Sequence, residues 1–193
     1  ELKKIERQRL LQASSREKKN TPLVSIVGYT NAGKSTLLKS LTNSDAYAAD
    51  ELFATVDSLQ RELTVKDVQE PLILSDTVGF IQNLPTTLIE SFKSTLLVAT
   101  SADLLIHVVD AATAIPEMHI ATVREILKQI EVSANEIMVF NKVDKIDRAS
   151  LNDLAERYPQ ALFISSLKQT GIDELVETIS KEIYGETIKD SFL

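Results

Sequence analysis

Residues 23–36 read Leu-Val-Ser-Ile-Val-Gly-Tyr-Thr-Asn-Ala-Gly-Lys-Ser-Thr, and this stretch decides the fold. Leu23-Val24-Ser25-Ile26-Val27 is a short, mostly apolar strand. Gly28-Tyr29-Thr30-Asn31-Ala32-Gly33-Lys34-Ser35 fits G-x-x-x-x-G-K-S, and a helical run from Ser35 to Leu41 follows it. Strand, glycine loop and helix in that order form the context a phosphate-binding loop requires. A helix N-terminus offers unpaired N–H groups and the positive end of a dipole. Gly28 and Gly33 let the backbone wrap closely round phosphate oxygens. Lys34 neutralises the β/γ-phosphates, and Ser35 offers its hydroxyl to Mg²⁺. Gly28, Tyr29, Thr30, Asn31, Ala32, Gly33, Lys34, Ser35 and Thr36 are therefore the candidate phosphate-binding residues.

Outward from this loop, apolar runs recur at Pro71-Leu72-Ile73-Leu74, Leu104–Val109, Ile137-Met138-Val139-Phe140 and Ala161-Leu162-Phe163-Ile164. Strands this apolar suit a parallel sheet covered on both faces. Helical stripes lie between them: Ile120, Val123, Leu127 and Ile130, then Ile172, Leu175, Val176, Ile179 and Ile183. Strand alternating with helix predicts an α/β fold with a parallel sheet. One strand differs. Leu59, Leu63 and Val65 alternate with Gln60, Glu62, Thr64 and Lys66, and a short turn leads to the strand at 71–75. So short a connection predicts an antiparallel member near one edge. Residues 2–18 read as a helix with a weak stripe (Leu2, Ile5, Leu10), broken at Asn20-Thr21-Pro22.

The base is chosen elsewhere. Asn141-Lys142-Val143-Asp144 sits just past the strand at 137–140, at a strand C-terminus where open α/β sheets place ligands. The Asp144 carboxylate can accept from guanine N1–H and the 2-amino group. Adenine would leave it unpaired, and unpaired polar groups make such discrimination large. Asn141 can bond the base edge and tie neighbouring loops, and the Lys142 stem can lie over the ring. Ser165-Ser166-Leu167 follows the last strand. Its backbone offers a contact to the guanine oxygen, or it is simply a serine-rich loop. Asp76-Thr77-Val78-Gly79 follows the strand at 71–75. Asp76 is expected to hold Mg²⁺ through water, and Gly79 to present its N–H to the γ-phosphate. Thr55, within Phe53-Ala54-Thr55-Val56-Asp57, is the candidate hydroxyl for Mg²⁺ in the GTP state. Thr42 and Thr64 are rivals, placed in a helix and a strand. Mg²⁺ ligands are thus expected at Ser35, Thr55 and Asp76, and Lys34, Thr55 and Gly79 are expected to act on the reaction.

The 193 residues suffice for one sizeable core. No apolar run approaches a membrane span, and no signal peptide pattern is present. There are no cysteines, which excludes thiolate metal sites and fits a reducing compartment. The net charge of −7 is uneven: residues 1–20 carry +4 and the remainder −11. A basic arm on an acidic body suits a polyanionic partner or a solvated linker helix. The chain lacks an initiator Met and reads as a piece of a longer protein.

These five elements resemble translation-factor-like P-loop GTPases. Val27–Leu38, Leu52–Asp57 and Leu74–Leu96 strongly resemble the GTPase domain of HflX proteins. The most telling stretch is Ser75-Asp76-Thr77-Val78-Gly79-Phe80-Ile81-Gln82-Asn83-Leu84-Pro85. Ser91-Phe92-Lys93-Ser94-Thr95-Leu96 and Ala102–Asp110 follow it. The resemblance covers roughly residues 1–185. It implies a Ras-like P-loop GTPase fold with about six mostly parallel strands, one of them antiparallel, and helices on both faces. It also implies that residues 1–20 end a charged linker helix, 21–185 form the GTPase domain and 186–193 a tail. The implied partners are GTP/GDP and the large ribosomal subunit, in the cytoplasm, with no direct DNA role. Ser58 and Thr86 stand where the family often has Pro and His, and Ser166 where many GTPases have Ala.

The water-positioning Gln of such enzymes would directly follow Gly79, where this chain has Phe80. Gln82 is no obvious substitute. Phe80 is read as packing, as the mark of slow intrinsic turnover, or both. Asn31 raises K⁺ as a second cofactor, since GTPases with Asn there are often stimulated by it. His107 reads as a satisfied core residue and His119 as helix surface. A GTP-binding interaction module with negligible hydrolysis, or an Obg/Era-like GTPase, remains the alternative to a hydrolysing switch. An ATPase is the least favoured.

Overall fold

A computed structural model describes residues 21–42, 60–65, 68, 70–77, 79 and 98–185. Its elements are β1 (Leu23–Gly28), α1 (Lys34–Thr42), β2 (Gln60–Leu63), β3 (Leu72–Asp76), β4 (Leu104–Asp110), α2 (Pro116–Gln129), β5 (Asn135–Asn141), α3 (Arg148–Arg157), β6 (Leu162–Phe163) and α4 (Ile172–Tyr184). A single 3₁₀ turn covers Val143–Lys145. The strands form a six-stranded sheet in the order β2-β3-β1-β4-β5-β6. All neighbours run parallel except β2, which pairs antiparallel with β3, Gln60 opposite Ser75 and Leu63 opposite Leu72. The expected hairpin edge is present. Its strand is shorter than the alternation suggests, because pairing stops at Leu63, although Val65 beyond it is still buried. β6 is likewise trimmed to two residues.

The sheet is covered on both faces, as its mostly apolar strands require. Side chains of alternate residues point to opposite faces. Val24, Ile26, Ile106, Val108 and Val139 pack with Leu37, Leu38 and Leu41 of α1 and Ile172, Leu175 and Ile179 of α4. Val27 and Leu105 face the other way, onto Val123, Ile126 and Leu127 of α2. Val109 and Phe140 join Ile120 of α2 and Leu154 of α3 there. Each fully buried Leu or Ile contributes about 1.5–3 kcal/mol by leaving water. Ile130, the last member of the expected α2 stripe, packs against the cluster of Val27 and Leu105 and is also the residue that ends the helix, with its N–H on the Ile126 carbonyl.

The second face carries one polar cluster. His107 lies in the middle of β4 and is fully buried. Its Nδ1 is 3.0 Å from Glu136 Oε1, and Arg124 of α2 reaches the same carboxylate at 3.0 Å. The expectation of a satisfied core histidine therefore holds for one ring nitrogen. Buried Nε2 meets no partner among the described residues. Glu136 is the second residue of β5, opposite Leu105, and its side chain is only 22% exposed. Burial alone would raise its pKa. The His107 hydrogen bond and then Arg124 outweigh that, and bring it down to about 2. A depressed carboxylate stabilises the fold above its unfolded value near 4.5, and that contribution is lost as pH falls towards 2. Glu136→Gln should therefore lower the thermal midpoint at pH 7, and the gap to the parent chain should narrow between pH 4.5 and 2. A gap independent of pH would refute this.

Candidate functional site

The C-terminal ends of the parallel strands gather the residues that the sequence singles out. Gly28 ends β1, Asp76 ends β3, Asn141 ends β5 and Ser165 follows β6. In the strand order, β1 is where the connections diverge to the two sides of the sheet. Open α/β sheets bind ligands at such a switch point.

The loop after β1 turns tightly and enters α1 at Lys34, with the Ala32 N–H on the Tyr29 carbonyl and the Leu37 N–H on the Gly33 carbonyl. Lys34, Ser35 and Thr36 form the first turn of α1, whose N–H groups have no acceptor within the helix. Gly33 takes φ +93°, and a Cβ there would lie 2.4 Å from Asn141 Nδ2. Only glycine admits that approach between the two loops. Gly79 closes the opposite side. A Cβ on it would stand 2.8 Å from Thr30 Cγ2 and 3.0 Å from Lys34 Nζ. Asp76 is fully buried, and its Oδ2 accepts from the Ser35 hydroxyl at 2.6 Å. Hydroxyl and carboxylate oxygens together suit a hard cation such as Mg²⁺. No trio of His, Asp or Glu fit to hold a metal exists among the described residues. A Mg²⁺ bound chiefly by water and substrate phosphates does not need one.

Lys34 is 6% exposed and donates from Nζ to the Tyr29 carbonyl at 3.0 Å. Burial is the main cause that lowers its pKa, to about 8, with Lys142 adding to the fall and Asp76 opposing it.

The loops after β5 and β6 are tied to this one. Asn141 is 2% exposed, and its Nδ2 donates to the Ala32 carbonyl at 3.1 Å. Its Oδ1 accepts from the Lys142 N–H at 2.8 Å and from both the N–H and the hydroxyl of Ser166 at 3.0 Å. The Ser166 hydroxyl, at a position expected to be Ala in many GTPases, thus adds a bond to the Asn141 amide. Lys142 adopts a left-handed backbone, φ 66°. Its Nζ reaches the Asn31 carbonyl at 2.5 Å and Asp110 Oδ2 at 2.8 Å. Asp144 accepts from the Ser165 hydroxyl at 2.5 Å, which itself accepts from the Lys168 N–H at 3.1 Å. Reciprocal backbone bonds between Ser165 and Thr170 close that loop.

Of the predicted site residues, only Thr55 lies outside the described residues, as do Phe80 and Gln82. Of its rivals, Thr42 ends α1 with its hydroxyl on the Leu38 carbonyl, and Thr64 follows β2. Three contacts escaped the sequence reading. Asp110 partners Lys142. Gln169 bridges the Ser166 carbonyl and the Ser40 hydroxyl of α1, each at 2.9 Å. His119 is half-buried rather than surface, its ring stacked on Tyr29 at 3.9 Å between centroids and 5° between planes. Burial chiefly lowers its pKa, with Asp110 opposing. Asp110 had a signal, an acid closing a buried strand beside the one that ends at Asn141. The other two had none.

A glycine loop opening a helix beside the central strand, joined to an N-K-x-D loop two strands away, defines a P-loop GTPase. Comparison with known proteins carries this further. The chain belongs to the family described as 50S ribosome-binding GTPase, which matches residues 23–142. It is a GTPase domain of the HflX type. It is 42% identical over 193 residues to GTPase HflX of Caldanaerobacter subterraneus subsp. tengcongensis, covering 100% of this chain and 44% of that protein. GTPase HflX of Escherichia coli is 40% identical over 190 residues, covering 96% and 44%. The chain thus spans under half the length of these relatives. Among solved structures, a GTP-binding protein from Sulfolobus solfataricus in complex with GDP matches with a TM-score of 0.63 and 29% identity. That match covers 91% of this chain and 57% of the other. The fold is Ras-like.

A bound polyphosphate favours the charged form of Lys34, so nucleotide binding should take up a proton near pH 8. Calorimetry of GTP binding at pH 8, in two buffers of different ionisation enthalpy, should report uptake of roughly half a proton. Equal heats in the two buffers would contradict it.

Proposed function

We propose that this chain binds Mg²⁺·GTP, hydrolyses it slowly to GDP and phosphate, and works as a switch on the large ribosomal subunit in the cytoplasm. Residues 21–185 are the GTPase domain in this reading, with 1–20 the end of a linker helix and 186–193 a tail. The observation that carries it is the joining of two loops of different chemistry. The Asn141 amide on the Ala32 carbonyl brings the N-K-x-D loop against the glycine loop. The family description, 50S ribosome-binding GTPase, supports the ribosome as partner. Among the described residues no helix is long and apolar enough to cross a membrane.

In this reading the first turn of α1 and Lys34 hold the phosphates, and Gly79 leaves room for its N–H to approach the γ-phosphate. Ser35, Asp76 and Thr55 hold Mg²⁺, which when bound neutralises charge on the β- and γ-phosphates. Asp144 reads guanine N1–H and the 2-amino group, held by Ser165. The second hydrogen of Asn141 Nδ2 is left for the remaining base edge, the Ser166 N–H would have to turn from Asn141 Oδ1 to reach the guanine oxygen, and the Lys142 stem covers the ring. These residues position and neutralise, which is most of what phosphoryl transfer asks of a protein.

Phe80 follows Gly79, so no side chain at that position orients the attacking water. Turnover by the chain alone is accordingly slow. Single-turnover hydrolysis with and without large ribosomal subunits tests this, with a rise of tenfold or more expected on their addition. Absence of hydrolysis in both conditions would mark a GTP-binding interaction module instead.

Asn31 projects from the glycine loop with φ 60° and is exposed. It offers an oxygen donor for K⁺, which can take the charge position of an arginine finger. Turnover at equal ionic strength should be faster in K⁺ than in Na⁺. Equal rates would sink that part of the proposal.

A further inference from the structure

We propose that Asp110 is a positioning residue for guanine-nucleotide binding, acting through Lys142; this rests on the guanine-binding reading above. Asp110 closes β4 directly opposite Asn141 in the sheet register. Its Oδ2 holds Lys142 Nζ at 2.8 Å, while its Oδ1 accepts from the Ala112 N–H at 2.9 Å. The same ammonium donates to the Asn31 carbonyl of the glycine loop. One carboxylate on β4 thus fixes a lysine of the β5 loop upon the β1 loop.

An exposed ion pair would contribute little. This one is shielded, its side chains 16% and 22% exposed. Lys142 is held at both ends. Its backbone N–H is on Asn141 Oδ1 with left-handed φ, and its ammonium is on Asp110. Between them, Cε passes 3.7 Å from where a Cβ on Gly33 would stand, so the stem crosses the glycine loop. That stem is the surface on which the guanine ring lies in this reading. Asp110 also supplies the anion that lets a second ammonium sit near Lys34. Without it, Lys142 retains one neutral carbonyl, repulsion from Lys34 and a flexible four-carbon stem. The stem would leave the loop, and the base would lose one wall of its site.

Asp110→Asn isolates the effect. The amide keeps an acceptor for the Ala112 N–H and removes the negative charge that faces the Lys142 ammonium. Release of a fluorescent GDP analogue from the whole chain reads the result. D110N should speed release about tenfold, the scale of one charge-assisted hydrogen bond. Lys142→Met should speed it at least as much. In the K142M background, D110N should add less than twofold. The melting temperature without nucleotide should differ little between D110N and the parent chain. Release from D110N within twofold of the parent would overturn the proposal. So would a tenfold effect that persists in K142M, which marks a merely structural role. If the parent chain itself retains no guanine nucleotide, the guanine-binding reading fails and takes this inference with it. Retention by the parent with no effect of D110N sinks this inference alone.

Discussion

The amide of Asn141 holds the carbonyl of Ala32 in a fully enclosed hydrogen bond, and the arrangement of the site depends on it. The two residues are 109 apart in sequence, on loops from strands that are not neighbours. A buried amide with no partner costs about 1–3 kcal/mol, so the bond resists opening. Asn141 Oδ1 spends its acceptor capacity on Lys142 and Ser166, which ties the loop after β6 into the same network. Three strand ends are thereby locked through one side chain. Gly33 is the corollary, because any side chain there would strike that amide.

The sheet makes this lock possible. β1 lies in the middle, so that β3 and β4 flank it and their C-terminal residues face a common rim. Asp76 arrives beside Ser35 from one side, and Asp110 beside Lys142 from the other. Each lysine at the rim has a carboxylate within its field, which permits two ammoniums in a small, half-buried volume. Such a rim holds its positive charge in place beforehand, the kind of preorganised charge that phosphoryl transfer requires.

Most of this was legible in the residues, for reasons that differ between parts. The parallel strands announced themselves because both faces are buried and most positions are apolar. The hairpin strand was visible through its alternation, but its end was not. Pairing stops at Leu63 by register, whereas Val65 stays buried by packing. The glycine loop and Asn141-Lys142-Val143-Asp144 were readable because they join a backbone requirement to a chemical one. Partners across the sheet were not. The Lys142–Asp110 pair and the Tyr29–His119 stack depend on strand order and helix rotation, which no local pattern encodes. His107 was read correctly as core. Its link to Glu136 was hidden because it crosses from the middle of one strand to the start of the next.

Guanine selection by Asn141 and Asp144, on a phosphate loop that is itself indifferent to the base, is the central claim. Competition of unlabelled GTP and ATP for a fluorescent GDP analogue bound to this chain measures it directly. GTP should displace the analogue at concentrations lower than ATP by about a thousandfold, as expected when a buried carboxylate would be left unpaired by the wrong base. Displacement at similar concentrations would contradict the assignment of the base-reading loop.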